Sequence, residues 1–115
     1  MFMAYTPQAP TALSNGPTII ESQVETIVNT VRKLEAEGAR KFVVTREAED
    51  EWKTVLDDMS KITLMQYTDS WWNGANIPGK KTQSLVYVGG INVYEKHIRQ
   101  KIDGWKGFNV VAAAA

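Results

Sequence analysis

Few side chains in this sequence could move a proton near neutral pH. His97 is the only histidine, and imidazole is the one side chain that ordinarily titrates close to neutrality. Tyr94 lies three positions before it and Lys101 four positions after, so on a helix the three share a face. A Tyr–His pair can perform general acid–base chemistry. The same spacing also fits a histidine at the edge of an apolar face with a purely structural role. Asp69 and Tyr5 are the other acid–base candidates. Trp71 and Trp72 are adjacent. From an extended segment neighbouring side chains point to opposite sides, so one is expected in the core and the other at a cavity, a partner or solvent. Asn76 follows on the same stretch and offers an amide to a ligand.

The string Gly74-Ala-Asn-Ile-Pro-Gly79-Lys80-Lys81 comes close to a phosphate-binding loop. Lys81, however, stands where a magnesium-binding hydroxyl is needed, and the residues that follow read as a strand rather than a helix. No cysteine is present, so disulfides, thiolate metal sites and cysteine nucleophiles are excluded. One histidine rules out a histidine-rich metal site, and no metal is expected. The acids Glu47, Glu49, Asp50 and Glu51 are accounted for by the positive end of a helix. Thirteen basic and thirteen acidic residues cancel, which recommends no nucleic-acid partner. The apolar runs are too short for a membrane span, and the first residues lack the pattern of a signal peptide. A cytoplasmic protein without a membrane partner is the expectation.

These residues must be positioned by one domain, 1–115, of α+β class with about three helices around a small sheet. Phe2–Tyr5 reads as a buried strand and Thr6–Gly16 as a loop. A helix follows from Pro17 or Thr18 to Glu37, with Thr18 and Glu21 as a capping box or Gly16-Pro17 as the start. Ile20, Val24, Ile27, Val31 and Leu34 form its apolar face, and Gly38 supplies the stop. Lys41–Val44 reads as a strand. Glu47–Ser60 reads as a helix with Trp52, Val55, Leu56 and Met59 on one face. Ile62–Tyr67 reads as a strand, Thr68–Gln83 as a long loop and Ser84–Val88 as a strand broken by Gly89-Gly90. Tyr94–Ile102 is a short helix and Lys106–Val111 a last strand. The alanines at 112–115 are expected to fray.

Three stretches carry a resemblance. Pro7-Gln-Ala-Pro-Thr-Ala-Leu-Ser-Asn-Gly-Pro17, then Asp69-Ser-Trp-Trp-Asn-Gly-Ala-Asn-Ile-Pro-Gly-Lys80, then Tyr87-Val-Gly-Gly90 with Tyr94 and Gly104-Trp-Lys-Gly-Phe108 resemble, in order and spacing, the C-terminal portion of Baeyer–Villiger flavin monooxygenases. The resemblance implies that Ala12, Leu13 and Ser14 form a bulge beside a substrate pocket. It implies that Trp71 belongs to a control loop that meets the nicotinamide cofactor, and that the helix from Thr18 points toward the flavin. The family's two Gly-x-Gly-x-x-Gly turns are missing from this sequence, as are its fingerprint and the aspartate and arginine that stabilise the flavin peroxide. The expectation is therefore a truncated, stand-alone homologue that uses no cofactor, neither FAD nor NADP. Its first function reading is a cofactor-independent enzyme that cyclises, isomerises or dehydrates an apolar metabolite. Catalysis would fall to His97, Tyr94, Asp69 or Tyr5, and ligand binding to Leu13, Ser14, Trp71, Trp72 and Asn76. The alternative is a non-catalytic monooxygenase fragment or a ligand-binding accessory module. In the related fold the strand matching Phe2–Tyr5 has neighbours on both sides. A homodimer through that strand or the tryptophan loop is therefore expected.

Overall fold

The computed structural model describes residues 1–112. Helix α1 spans Gly16–Ala36, strand β1 Ala39–Val44, helix α2 Arg46–Ser60, helix α3 Ile91–Asp103 and strand β2 Phe108–Ala112, with a 3-10 turn at Leu64–Tyr67. The strands form one two-stranded antiparallel sheet, with Phe42 opposite Val110, Val44 opposite Phe108 and an irregularity between Ala39 and Lys41. This is the expected α+β class. The tail expected at 112–115 is not wholly loose, because Ala112 pairs with Ala39; its remainder, 113–115, lies outside the described residues.

Helix α1 starts because Asn15 accepts from the Thr18 amide through its side chain and Pro17 occupies the first turn. The capping box is therefore not used. Gly38 stops the helix in the left-handed region (φ 63°). Its facing is the principal correction. The residues turned inward are Ile19, Ser22, Gln23 and Thr30, three of them polar. Of the expected apolar face, Ile27 and Leu34 are half-buried, whereas Ile20, Val24 and Val31, with Val28 beside them, form a row that remains 37–44% exposed. Gln23 and Thr30 are satisfied by hydrogen bonds to Tyr94 and to the Thr26 carbonyl, whereas the buried Ser22 hydroxyl has no partner among the described residues.

Helix α2 is capped by Thr45, which accepts from the Ala48 amide (3.2 Å), and Glu47 and Glu49 suit its positive end. Leu56 is fully buried and Trp52, Val55 and Met59 half-buried, as their spacing predicts. Helix α3 begins three residues earlier than expected, directly after Gly90 (φ 80°).

Three expected strands are absent from the described residues. Phe2–Tyr5 is irregular and bends at Tyr5 (φ 57°), whose amide donates to Gln23 Oε1 (2.6 Å) instead of joining a ladder. At Ile62–Tyr67 the Thr63 hydroxyl bonds the Ser60 carbonyl and the Met65 amide, and these local bonds wind the chain into a turn. Ser84–Val88 is stitched alternately to two irregular segments. Gln8 donates to Leu85, Tyr87 to Ala9, and Leu85 to Trp72. Its backbone groups are satisfied as a strand's would be, yet no single neighbour runs beside it.

Tyr87 is fully buried and its hydroxyl lacks a partner among the described residues. A buried unpaired hydroxyl is costly, so Tyr87→Phe should match or exceed the parent's stability, by up to about 1 kcal/mol in urea melts. Burial raises the Tyr87 phenol, and, against a smaller opposing pull from Gln23, that of Tyr94. A raised native value means stability is fully present below the ordinary tyrosine pKa, about 10, and is lost as pH climbs through the native values. Tyr87→Phe should flatten that alkaline loss. Gly107→Ala should behave oppositely. Its φ is 84° and an added Cβ would lie 2.5 Å from that of Ala48, so a loss of about 2–4 kcal/mol is expected.

Candidate functional site

Trp52 on α2 gathers the aromatic groups of the molecule. Tyr87 stacks flat on it (5.5 Å between centroids, 5° between planes), His97 meets it edge-on (5.2 Å, 70°) and Tyr94 is tilted against it (6.1 Å, 60°). Tyr94 also packs edge-on to Tyr87 (5.4 Å). The predicted Tyr94–His97 pair is thus brought together on one face of α3, around a tryptophan whose role helical spacing alone did not reveal. No hydrogen bond joins the pair among the described residues. The Tyr94 hydroxyl accepts from Gln23 Nε2 (3.4 Å), and Gln23 in turn accepts from the Tyr5 amide. Gln23 therefore links the N-terminal segment to α3, which the sequence reading missed because a glutamine on an apolar helix carries no signal of its own. With its phenol pushed up by burial, Tyr94 stays protonated at neutral pH and is no ground-state base.

His97 is half-buried and opens onto a recess of about 190 Å³ between α2, α3 and β2. Beside it Lys101 Nζ bonds both oxygens of Glu51 (3.0 and 2.8 Å), which holds the Glu51 carboxyl below its ordinary value.

The other candidates lie apart from this cluster. Tyr5 lays its ring beside Gly16 at the start of α1 and directs its hydroxyl to the Thr11 carbonyl (3.5 Å). Leu13 and Ser14 line a shallow depression with Gly89, Gly90 and Val93. None of Trp71, Trp72, Asn76, Asp69 or His97 lines that depression. Asp69 and Asn76 stand exposed on the loop.

The two tryptophans behave differently from the extended-chain expectation. The loop turns through residues 71–76, so both rings fall on one side and stack on each other (3.9 Å, 28°). Trp71 is 64% exposed and Trp72 half-buried. The loop is held by Asn73, which is buried. Its amide donates to the Met65 and Thr68 carbonyls and its Oδ1 accepts from the Ala75 amide. The resemblance to a phosphate loop ends here as well. The Ile77 and Lys80 amides are used within the loop's own turns, and no helix follows.

A dinucleotide cofactor needs a strand, a glycine turn and an uncovered helix N-terminus. The described residues do not fit one: α3 does start after Gly89-Gly90 without a side-chain cap, but the segment before it is not a strand. The single strand–helix junction, β1 to α2, runs through Thr45 without glycine, and Glu47 and Glu49 in its first turn would repel a pyrophosphate. The start of α1 is covered by Asn15 and the Tyr5 ring.

Searched against models of protein families, the chain matches none. Individual proteins do match. It is 38% identical over 104 residues to the FAD-binding monooxygenase VdtE of Byssochlamys spectabilis, covering 90% of this chain and 18% of that protein. It is 39% identical over 97 residues to a Baeyer–Villiger monooxygenase of Pseudooceanicola batsensis, covering 84% and 17%. Among solved structures, the NADP+-bound cyclohexanone monooxygenase from Rhodococcus sp. Phi1 superposes with a TM-score of 0.82 at 39% identity, covering 93% of this chain and 20% of that one. The chain thus spans about a fifth of the length of the proteins it matches.

Two measurements follow. Trp71→Ala should change stability by less than about 0.5 kcal/mol, while Asn73→Ala should cost about 1–3 kcal/mol by stranding buried backbone groups. The purified 115-residue chain should be colourless, show no flavin absorbance and leave NADPH unoxidised; stoichiometric FAD on this chain alone would refute the misfit just described.

Proposed function

We propose, from the premise that this chain is homologous to one segment of the Baeyer–Villiger monooxygenases, that it serves as the substrate-side, tryptophan-loop part of such an oxygenase and works against the remainder of that fold. The observation that carries the reading is the facing of α1. The conformation of its relatives is kept, yet Ile20, Val24, Val28 and Val31 stay exposed while Ser22, Gln23 and Thr30 are buried beside Ile19. A helix turned this way is built to be covered on its outer side. The part of the relatives that this chain does not match supplies a chemically reasonable cover. The flavin and nicotinamide sites would then belong to that remainder. This chain would contribute the Trp71–Trp72 platform and the Leu13–Ser14 turn.

A second reading is favoured by one observation, that the only imidazole opens onto an apolar recess. On that reading His97 transfers a proton in a cofactor-independent isomerisation, cyclisation or dehydration of an apolar metabolite, with no contribution from Asp69 or Tyr5, which lie elsewhere. In the absence of a covering domain, the α1 row and the exposed Phe2 and Met3 would favour a homodimer.

The readings separate by complementation. A cyclohexanone monooxygenase from which the matching segment has been removed is co-expressed with this chain, and NADPH-dependent lactone formation is followed. Recovery of activity, lost again in Val24→Lys/Val28→Lys, is the expected result. Ketone turnover absent from every combination, together with metabolite conversion by this chain alone that disappears in His97→Gln, would favour the second reading. Sedimentation equilibrium of the same double-lysine variant should show a monomer if the α1 row is also the self-association surface.

A further inference from the structure

The recess beside His97 belongs to neither the α1 row nor the tryptophan loop, since none of those residues lines it. Its wall is apolar, formed by Val44, Ala48, Trp52, Ile98 and Phe108. The packing that shapes it is tight. Gly107 at the head of β2 lies so close to Ala48 that no side chain could be added there, and the Thr45 amide donates to the Gly107 carbonyl (2.8 Å). The floor is equally fixed, because Trp52 is clamped between the Tyr87 ring and the His97 edge.

Size and charge together select the ligand. A volume of about 190 Å³ exceeds the roughly 150 Å³ that holds benzene in an engineered apolar cavity, and falls below the roughly 300 Å³ at which sites for drug-sized molecules begin. One six-membered ring fits within it. The charged residues on the rim are Glu49, Glu51, Lys101 and Lys106, with His97 beside them. Glu51 and Lys101 satisfy each other at 2.8 Å, and Glu49 shares Arg46 (3.6 Å) with Asp50, which is closer to it (3.2 Å). The rim is neutral in sum, and Lys106 is its one cation without an ion-pair partner among the described residues; the imidazole adds a donor. We propose that this recess binds a single-ring aromatic carboxylate, with the ring between Trp52 and Phe108 and the carboxylate at Lys106 and His97. Binding at this place requires neither functional reading above.

Benzoate is the probe, with benzamide as its uncharged counterpart, added to the full chain and followed by amide shifts in two-dimensional NMR. Saturable benzoate shifts concentrated at Ala48, Trp52, Ile98 and Phe108 are expected, with a Kd in the range of about 0.1–1 mM for so small a ligand. Benzamide should bind about tenfold more weakly, and Lys106→Met should weaken benzoate about tenfold while leaving benzamide unchanged. Ala48→Leu, folded by the same spectra, should abolish binding of both by filling the recess. Shifts scattered over the surface lysines, equal affinity for the two probes, or benzoate binding that survives Ala48→Leu would each overturn the proposal.

Discussion

The stack of Tyr87 on Trp52 is the contact on which the arrangement of the rest depends. It joins α2 to the segment 84–88, and through Tyr94 and His97 it sets the rotation of α3. The segment 84–88 cannot hold its place as a strand, because its backbone partners come from two separate loops. A large flat side chain anchored at its centre does what a sheet neighbour would have done. The space for it is left by Gly89, where an added Cβ would lie 2.8 Å from the Tyr87 ring. The Gly89-Gly90 pair thus serves two ends. The first glycine makes room for the buried ring, and the second takes the positive φ from which α3 departs.

Around that hub the apolar core is small. The fully buried apolar side chains among the described residues are Ala9, Pro10, Ile19, Leu56, Val86 and Tyr87. The radius of gyration is 15.7 Å, against about 13 Å for a compact domain of this length. Two features offset the thin core. Buried polar side chains such as Gln23, Thr30 and Asn73 are hydrogen-bonded to the chain, and the ends of α1, α3 and β2 are fastened together. There Lys33 bonds the Asp103 carbonyl and lies over the Trp105 ring (4.9 Å), whose Nε1 donates to Glu37 (2.6 Å). Fastening of this kind fixes geometry more than it adds stability, since exposed ion pairs contribute little. A scaffold held in shape by such contacts, with an apolar row facing out, has the physical character of one layer of a larger packing arrangement.

What was legible in the sequence divides along the range of the interactions involved. The three helices followed from periodicity, and α1 also from Gly38, because a glycine stop acts within a turn; the caps Asn15 and Thr45 went unread, and α3 starts directly after Gly90 instead of at Tyr94. The two paired strands were legible from their β-branched and aromatic residues. The three other proposed strands failed because an apolar run does not reveal whether a neighbour exists to pair with. At Ile62–Tyr67 the Thr63 hydroxyl decided for a turn. The facing of α1 was also illegible. Periodicity placed Ile20, Val24, Ile27, Val31 and Leu34 on one face, but only Ile27 and Leu34 of these are half-buried, because which side of a helix is covered depends on how much else is there to cover it. Of the site residues, Tyr94 and His97 came together as helical spacing required. Trp52, Tyr87 and Gln23 reach them from 42 to 71 positions away or from neighbouring loops by tertiary packing alone, and Asn73 is hidden behind the two tryptophans that precede it.

The chemistry available to the chain follows from the same geometry. Proton transfer needs an acid and a base within hydrogen-bonding reach of one reacting atom. The Tyr94 hydroxyl is occupied by Gln23 and kept neutral, His97 faces the recess on the other side of Trp52's edge, and Asp69 and Tyr5 stand on different surfaces. The groups that could act are therefore distributed singly, and of them His97 alone lines a recess. The tryptophan loop acts on a different part of the chain. Its backbone is pinned by Asn73, and the Asn73 and Trp72 carbonyls accept from the Gln83 and Leu85 amides, so the order of that loop fixes the segment that carries Tyr87 onto Trp52.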